Sequence, residues 1–103
     1  MPSLRKFINY IKDITNFNKK YIYAYYNYLD YSEFNNSFQD SVASILNGYF
    51  VEINHSYYKP IYFNGFYILL DWSIYRDDNG NYVGDIIIHC YNNYNDLMRK
   101  LNE

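Results

Sequence analysis

Asp71, Ser73, Asp85 and His89 are the residues of this 103-residue chain whose types suit acid-base or hydrolytic work. They fall in two stretches, FYILLDWSIYR and NYVGDIIIHCY, that read as strands. Alternation puts all four on one face, with Asp71 diagonal to His89, so a small hydrolase is one class of reading. Polar side chains alternate with apolar ones on any half-solvated sheet face, however, and no catalytic residue is expected here. His89 and Cys90 are consecutive in a strand, point to opposite faces and cannot form a thiolate-imidazole pair. His55 stands in a turn with no motif around it. The run Asp77, Asp78, Asn79 resembles the start of a calcium loop, yet the spaced acidic positions and closing glutamate are missing, which makes it a turn. Cys90 is the single cysteine and can supply neither an internal disulfide nor a multi-cysteine zinc site. No cofactor and no metal are expected.

The residues that stand out by number are tyrosines, 16 in all, six of them in YIYAYYNYLDY at 21 to 31. Tyr, Asn, Ile, Lys and Phe are all served by AT-rich codons, so part of this excess is a matter of composition. Position is more informative than number. A buried phenol needs a hydrogen-bond partner, whereas an exposed one offers a large, rigid contact area.

The elements that would position these residues follow from periodicity. Leu4, Phe7, Ile8, Ile11 and Ile14 recur at helical spacing, with Ser3 as N-cap and Asn16 and Asn18 as the exit. Residues 21 to 31 fit a helical stripe through Tyr21, Tyr25, Tyr28 and Leu29 and also strand alternation through Tyr21, Tyr23 and Tyr25. The adjacent Tyr25 and Tyr26 break the alternation, and a helix is preferred. A third helix, from about Ser37 to Asn47, has Phe34, Phe38, Val42, Ile45 and Leu46 on its apolar side and Gly48 as a left-handed end. Beyond it the period becomes two. Strands are expected at Tyr49 to Ile53, Tyr58 to Phe63, Phe66 to Arg76 and Tyr82 to Tyr91, then a closing helix behind Asn93 or Asn95. The expectation is one domain, 1 to 103, of class α+β: an antiparallel three- or four-stranded meander with helices packed mainly on one face, order ααα-ββββ-α.

Register follows from the turns. Asn64-Gly65 suits a two-residue type I′ loop and pairs Phe63 with Phe66. A three-residue loop at Asp78, Asn79 and Gly80, with Gly80 left-handed, pairs Trp72 with Ile86, Leu70 with Ile88 and Ile68 with Cys90. A two-residue turn would instead oppose Ile74 to Asp85. One face is then apolar, at ~1.5 to 3 kcal/mol per fully buried large side chain. The other carries Tyr62, Tyr67, Asp71, Tyr75, Asp85, His89 and Tyr91.

That second face, aromatic and acidic, is the candidate binding surface. Residues 1 to 20 hold five basic residues and one acidic; residues 21 to 103 hold four basic and ten acidic. Base stacking on tyrosines would define a small nucleic-acid-binding protein, but a phosphate backbone needs a cationic track that the sheet half lacks. Tyrosines with an acidic surround suit a basic protein partner. The leading expectation is a non-enzymatic protein-binding inhibitor of the immunity-protein or anti-defence type carried by phages and mobile elements. Its partner would be a basic nuclease-like toxin or defence effector, with a homodimer as another way to cover the face. The apolar runs are shorter than the ~20 residues that span a bilayer, and the charged N-terminal stretch does not read as a secretory signal. The expectations are therefore no membrane and cytoplasmic residence.

Overall fold

The computed structural model describes residues 2–28 and 38–103. The first apolar stripe folds as α1, Pro2–Ile14, and buries Phe7, Ile8, Ile11 and Ile14. Proline is at home in a first helical turn because its missing N–H would have no intrahelical partner there. The helix thus starts ahead of Ser3, the expected cap. At its other end the Thr15 hydroxyl donates to the Ile11 carbonyl at 2.8 Å.

Residues 21 to 28 are a strand, β1 (Tyr21–Tyr28), which corrects the expected helix; 29 to 31 lie outside the described residues. The physical reason lies in the phenol. Tyrosine tolerates either side of a half-buried strand, so the alternation runs on through the Tyr25-Tyr26 pair. Tyr26 turns inward, 5.2 Å from the rings of both Phe7 and Tyr10, while Tyr25 turns outward.

Helix α2, Phe38–Leu46, buries Phe38, Val42, Ala43 and Leu46, whereas Ile45, expected on the same side, is exposed. The expected Phe34 and Ser37 lie outside the described residues. Asn47, not Gly48, takes the left-handed conformation at the helix end, with φ 59°. Gly48 answers a different need. A Cβ there would stand 2.9 Å from the Tyr62 carbonyl oxygen and 3.0 Å from Ile61 Cγ2. Gly48→Ala is expected to cost about 1–3 kcal/mol, because the obstacle is backbone and cannot swing away. Chemical denaturation checks this, and an unchanged midpoint would show that β3 can shift.

Four further strands complete the sheet: β2 (Tyr49–Phe50), β3 (Ile61–Phe63), β4 (Phe66–Arg76) and β5 (Tyr82–Tyr91). The two strands expected around residue 55 are shorter than expected for one reason. Val51 N–H donates to the Pro60 carbonyl at 2.8 Å, but Pro60 has no N–H to give back, and the ladder stops. The turn expected at Asn54 and His55 becomes a loop in which His55 Nδ1 accepts the N–H groups of Tyr57 and Tyr58, each at 3.1 Å. Both expected hairpin registers hold: Phe63 faces Phe66, Trp72 faces Ile86, and Ile68 faces Cys90. Asn64 and Gly65 have φ of 52° and 81°, and Gly80 has 81°, as those turns require. The Asp77 carboxylate accepts the N–H of Asn79 and of Asn81 within its own loop.

The result is α+β, but with five antiparallel strands in the order β1-β5-β4-β3-β2, and a chain order α1-β1-α2-β2-β3-β4-β5-α3 among the described residues. Helices α1 and α2 seat on the apolar face formed by Ile22, Ile61, Phe66, Ile68, Leu70, Ile86, Ile88 and Cys90. Asn64 also ties the β3–β4 hairpin to the end of α1, its side-chain amide donating to the Thr15 carbonyl at 2.9 Å. The last helix, α3 (Tyr94–Leu101), is capped by Asn93 and packs elsewhere: the Tyr94 ring meets Tyr67 on the opposite face at 5.8 Å.

Candidate interaction face

Because β5 pairs with β1 on one side and β4 on the other, the outward face gains a strand that the meander alone would not supply. One tyrosine from each of the five strands then stands in a single cross-strand row: Tyr21, Tyr91, Tyr67, Tyr62 and Tyr49. Ring centroids are 4.8 Å apart for Tyr21 and Tyr91, 4.9 Å for Tyr62 and Tyr67, and 5.5 Å for Tyr49 and Tyr62. Cross-strand aromatic pairs of this kind fix register as well as offering surface.

The seven residues singled out from the sequence all lie on this face but form two groups. Tyr62, Tyr67, Tyr91, Asp71 and His89 occupy the end that α3 and Tyr58 cover. Tyr75 and Asp85 stand at the other end, since Asp85 is six residues from Tyr91 along β5, about 20 Å. The tyrosine row is therefore not edged by Asp85.

At the covered end, His89 is only 8% exposed. Its Nδ1 is 2.9 Å from the Tyr21 hydroxyl, and the Tyr23 ring stands edge-on to it at 5.2 Å. Burial holds the imidazole below its ordinary 6.5, and the Lys100 ammonium adds to this, against the opposing charges of Asp71 and Glu103. His89 therefore supports Tyr21 and Tyr23 and offers little surface of its own. Since the folded imidazole binds its proton less tightly than the unfolded one, the stability it supports is full above 6.5 and falls as pH drops from there toward the folded value. Unfolding free energies measured on both sides of 6.5 should fall more on acidification for the wild type than for His89→Gln; equal falls would refute this. Nearby, burial and then the Asp71 carboxylate raise the Tyr58 phenol. On the reverse face, burial pushes the Cys90 thiol up to about 12, which leaves it inert as a nucleophile.

At the open end the Asp85 carboxylate accepts hydrogen bonds from Tyr25, from Asn27 at 2.9 Å and from Tyr75 at 3.3 Å. Partial burial pushes its pKa up, but these three donors outweigh burial and hold it below the usual carboxylate value. The Tyr25 phenol is raised in return, chiefly by its bond to Asp85, and Tyr75 by burial and then by Asp85's charge. At neutral pH the site is one carboxylate held by neutral donors. Beside it Tyr25 is 56% exposed and Tyr75 43%, and Tyr23, two residues along β1 from Tyr25, is 60% exposed.

Tyr21, Tyr23, Tyr25 and Asn27 are absent from the residues singled out by sequence. Their signal was the alternation of Tyr21, Tyr23 and Tyr25, set aside with the strand. Ser73 lies opposite Asp85, four residues or about 13 Å along the ladder from the His89 position. Among the described residues no group of three or more His, Cys, Asp or Glu side chains is placed to hold a metal ion.

Fold and face together define an α+β domain whose antiparallel sheet carries two helices on one side and a tyrosine-rich, partly open surface on the other. Comparison with protein-family models, with curated proteins and with solved structures finds no match. No helix among the described residues is long and apolar enough to cross a membrane.

Proposed function

We propose that the chain is a non-enzymatic inhibitor, of the immunity-protein or anti-defence type, that occupies a basic nuclease-like protein through the open end of its tyrosine face. The observation that carries this reading is the pair of exposed rings Tyr25 and Tyr75 on Asp85, an anion whose partners among the described residues are neutral, with the exposed Tyr23 next along β1. A lysine or arginine from a partner could join Asp85 without displacing an existing ion pair, while the exposed rings supply area at low entropy cost. The contact set accordingly moves from Tyr62, Tyr67 and Tyr91, half-buried in packing, to Tyr23, Tyr25, Tyr75 and Asp85. Hydrolysis is the weaker reading, because the Ser73 position is remote from that of His89 and His89 is enclosed. Base stacking is weaker too, since the open patch is centred on a carboxylate that repels phosphate.

The test is affinity capture from host lysate on immobilised wild type, followed by titration of the purified captured protein. Tyr25→Ala is expected to weaken that complex by about 2 kcal/mol, roughly 30-fold. Asp85→Lys should mainly slow association and reduce its salt dependence. Equal affinity for wild type and both variants, or preferential capture of nucleic acid that salt abolishes, would overturn the reading.

A further inference from the structure

Strand β1 lies at the outside of the sheet and pairs with β5 along its whole length, from Tyr21 opposite Tyr91 to Tyr28 opposite Gly84. Sheet edges are normally kept short or guarded by charge, proline or a bulge, because their unpaired backbone groups invite another strand. The opposite edge, β2, obeys this by being two residues long. β1 has eight residues, YIYAYYNY, with no charge and no proline.

The direction of its backbone groups follows from one hydrogen bond. Asn92 N–H donates to the Lys20 carbonyl at 3.1 Å, which makes Lys20 and Asn92 a bonded pair. Bonded and non-bonded pairs alternate along an antiparallel ladder, so Ile22, Ala24 and Tyr26 direct their N–H and C=O toward β5. Those of Tyr21, Tyr23, Tyr25 and Asn27 point away from the sheet, and no other segment among the described residues bonds them.

We propose that this edge pairs with the same edge of a second copy, β1 antiparallel to β1 about a two-fold axis through Ala24, joining two five-stranded sheets into one. Opposed residues in an antiparallel pair share a face, so only registers that match odd positions with odd keep both tyrosine faces on the same side. Centred on Ala24, Tyr23 bonds with Tyr25 of the second copy and Tyr21 with Asn27, so every outward-pointing backbone group of these four residues is satisfied. Ala24, the smallest side chain of the strand, then meets itself in a non-bonded pair, where side chains approach most closely. No like charges are opposed within the strand. Lys19 and Lys20, which just precede it, lie at opposite ends of the antiparallel pair, whereas a parallel pairing would set them side by side. A surface that matches itself in this way is isologous and closes as a dimer. The dimer does not depend on the proposed inhibitor role, and it would bring both open tyrosine patches to the middle of one continuous face.

The experiment is sedimentation of the full chain from low micromolar to millimolar concentration, with an oxidative cross-linking series. The wild type is expected to reach twice the monomer mass. Ala24→Cys should form a covalent dimer on oxidation, while Ile22→Cys, which faces Tyr26 of the second copy, should not. Cys90 is buried and gives no background. Tyr23→Pro removes an outward N–H without touching the ladder to β5, so a monomer with an unchanged circular dichroism spectrum is expected. A wild type that stays monomeric throughout, equal cross-linking at positions 22 and 24, or a folded Tyr23→Pro that still dimerises would each overturn the proposal. If Tyr23→Pro unfolds, the cysteine pair decides.

Discussion

Phe7→Ala is expected to lower the free energy of unfolding by about 3–5 kcal/mol, a large part of what a domain of this size possesses. Phe7 is fully buried and joins three elements that are far apart in sequence. Its ring lies edge-on to Tyr26 of β1 at 5.2 Å and 5.9 Å from Phe38 of α2, while its own backbone belongs to α1. Truncation leaves a cavity walled by all three, and none can close it without leaving the sheet. Urea unfolding followed by circular dichroism measures the loss. A value below about 1 kcal/mol would mean that this junction is loosely packed and that α1 can settle into the space.

Leu97→Ala is expected to cost about 2–5 kcal/mol, with a different signature. Leu97 is fully buried, yet it stands apart from the main core cluster and belongs to the packing of α3 on the tyrosine face. An eight-residue helix has little stability of its own. Apart from Leu97 and the Tyr94–Tyr67 contact, α3 has the Asn93 cap and the pairs Arg99–Asp96 and Lys100–Glu103, with Arg99 and Glu103 well exposed. Surface pairs of this kind contribute about 0–1 kcal/mol each. The variant should therefore lose α3 before the sheet. Hydrogen exchange is expected to rise first in residues 94 to 101. His89, released from burial and from Lys100, should titrate closer to 6.5 in a histidine NMR titration. Protection that falls uniformly, or an unmoved His89, would show that α3 is not what encloses this end of the face.

Several features of this protein are local enough to be legible in its sequence. Asn64-Gly65 and Asp78-Asn79-Gly80 require positive φ at defined positions, so they determine their loops, and the loops determine how β3, β4 and β5 oppose one another. Alternation then assigns Trp72 and Ile86 to one face and Asp71 and His89 to the other. The stripe Phe7, Ile8, Ile11 and Ile14 and a cap at Asn93 or Asn95, which the structure assigns to Asn93, are legible for the same reason: each depends on neighbours within a turn or two. What only the tertiary structure decided depends on partners distant in the chain. Residues 21 to 28 became a strand because β5, some sixty to seventy residues away, offered an edge, and because a tyrosine is at home on either side of it. Gly48 owes its identity to the backbone of Tyr62 and not to the helix it follows. The candidate site divided along the same line. Tyr75 and Asp85 were found by alternation. Tyr21, Tyr23, Tyr25 and Asn27 joined them, and His89 was enclosed, only through the docking of β1 and α3, since burial is set by which elements meet and a sequence pattern records only which side faces the same way.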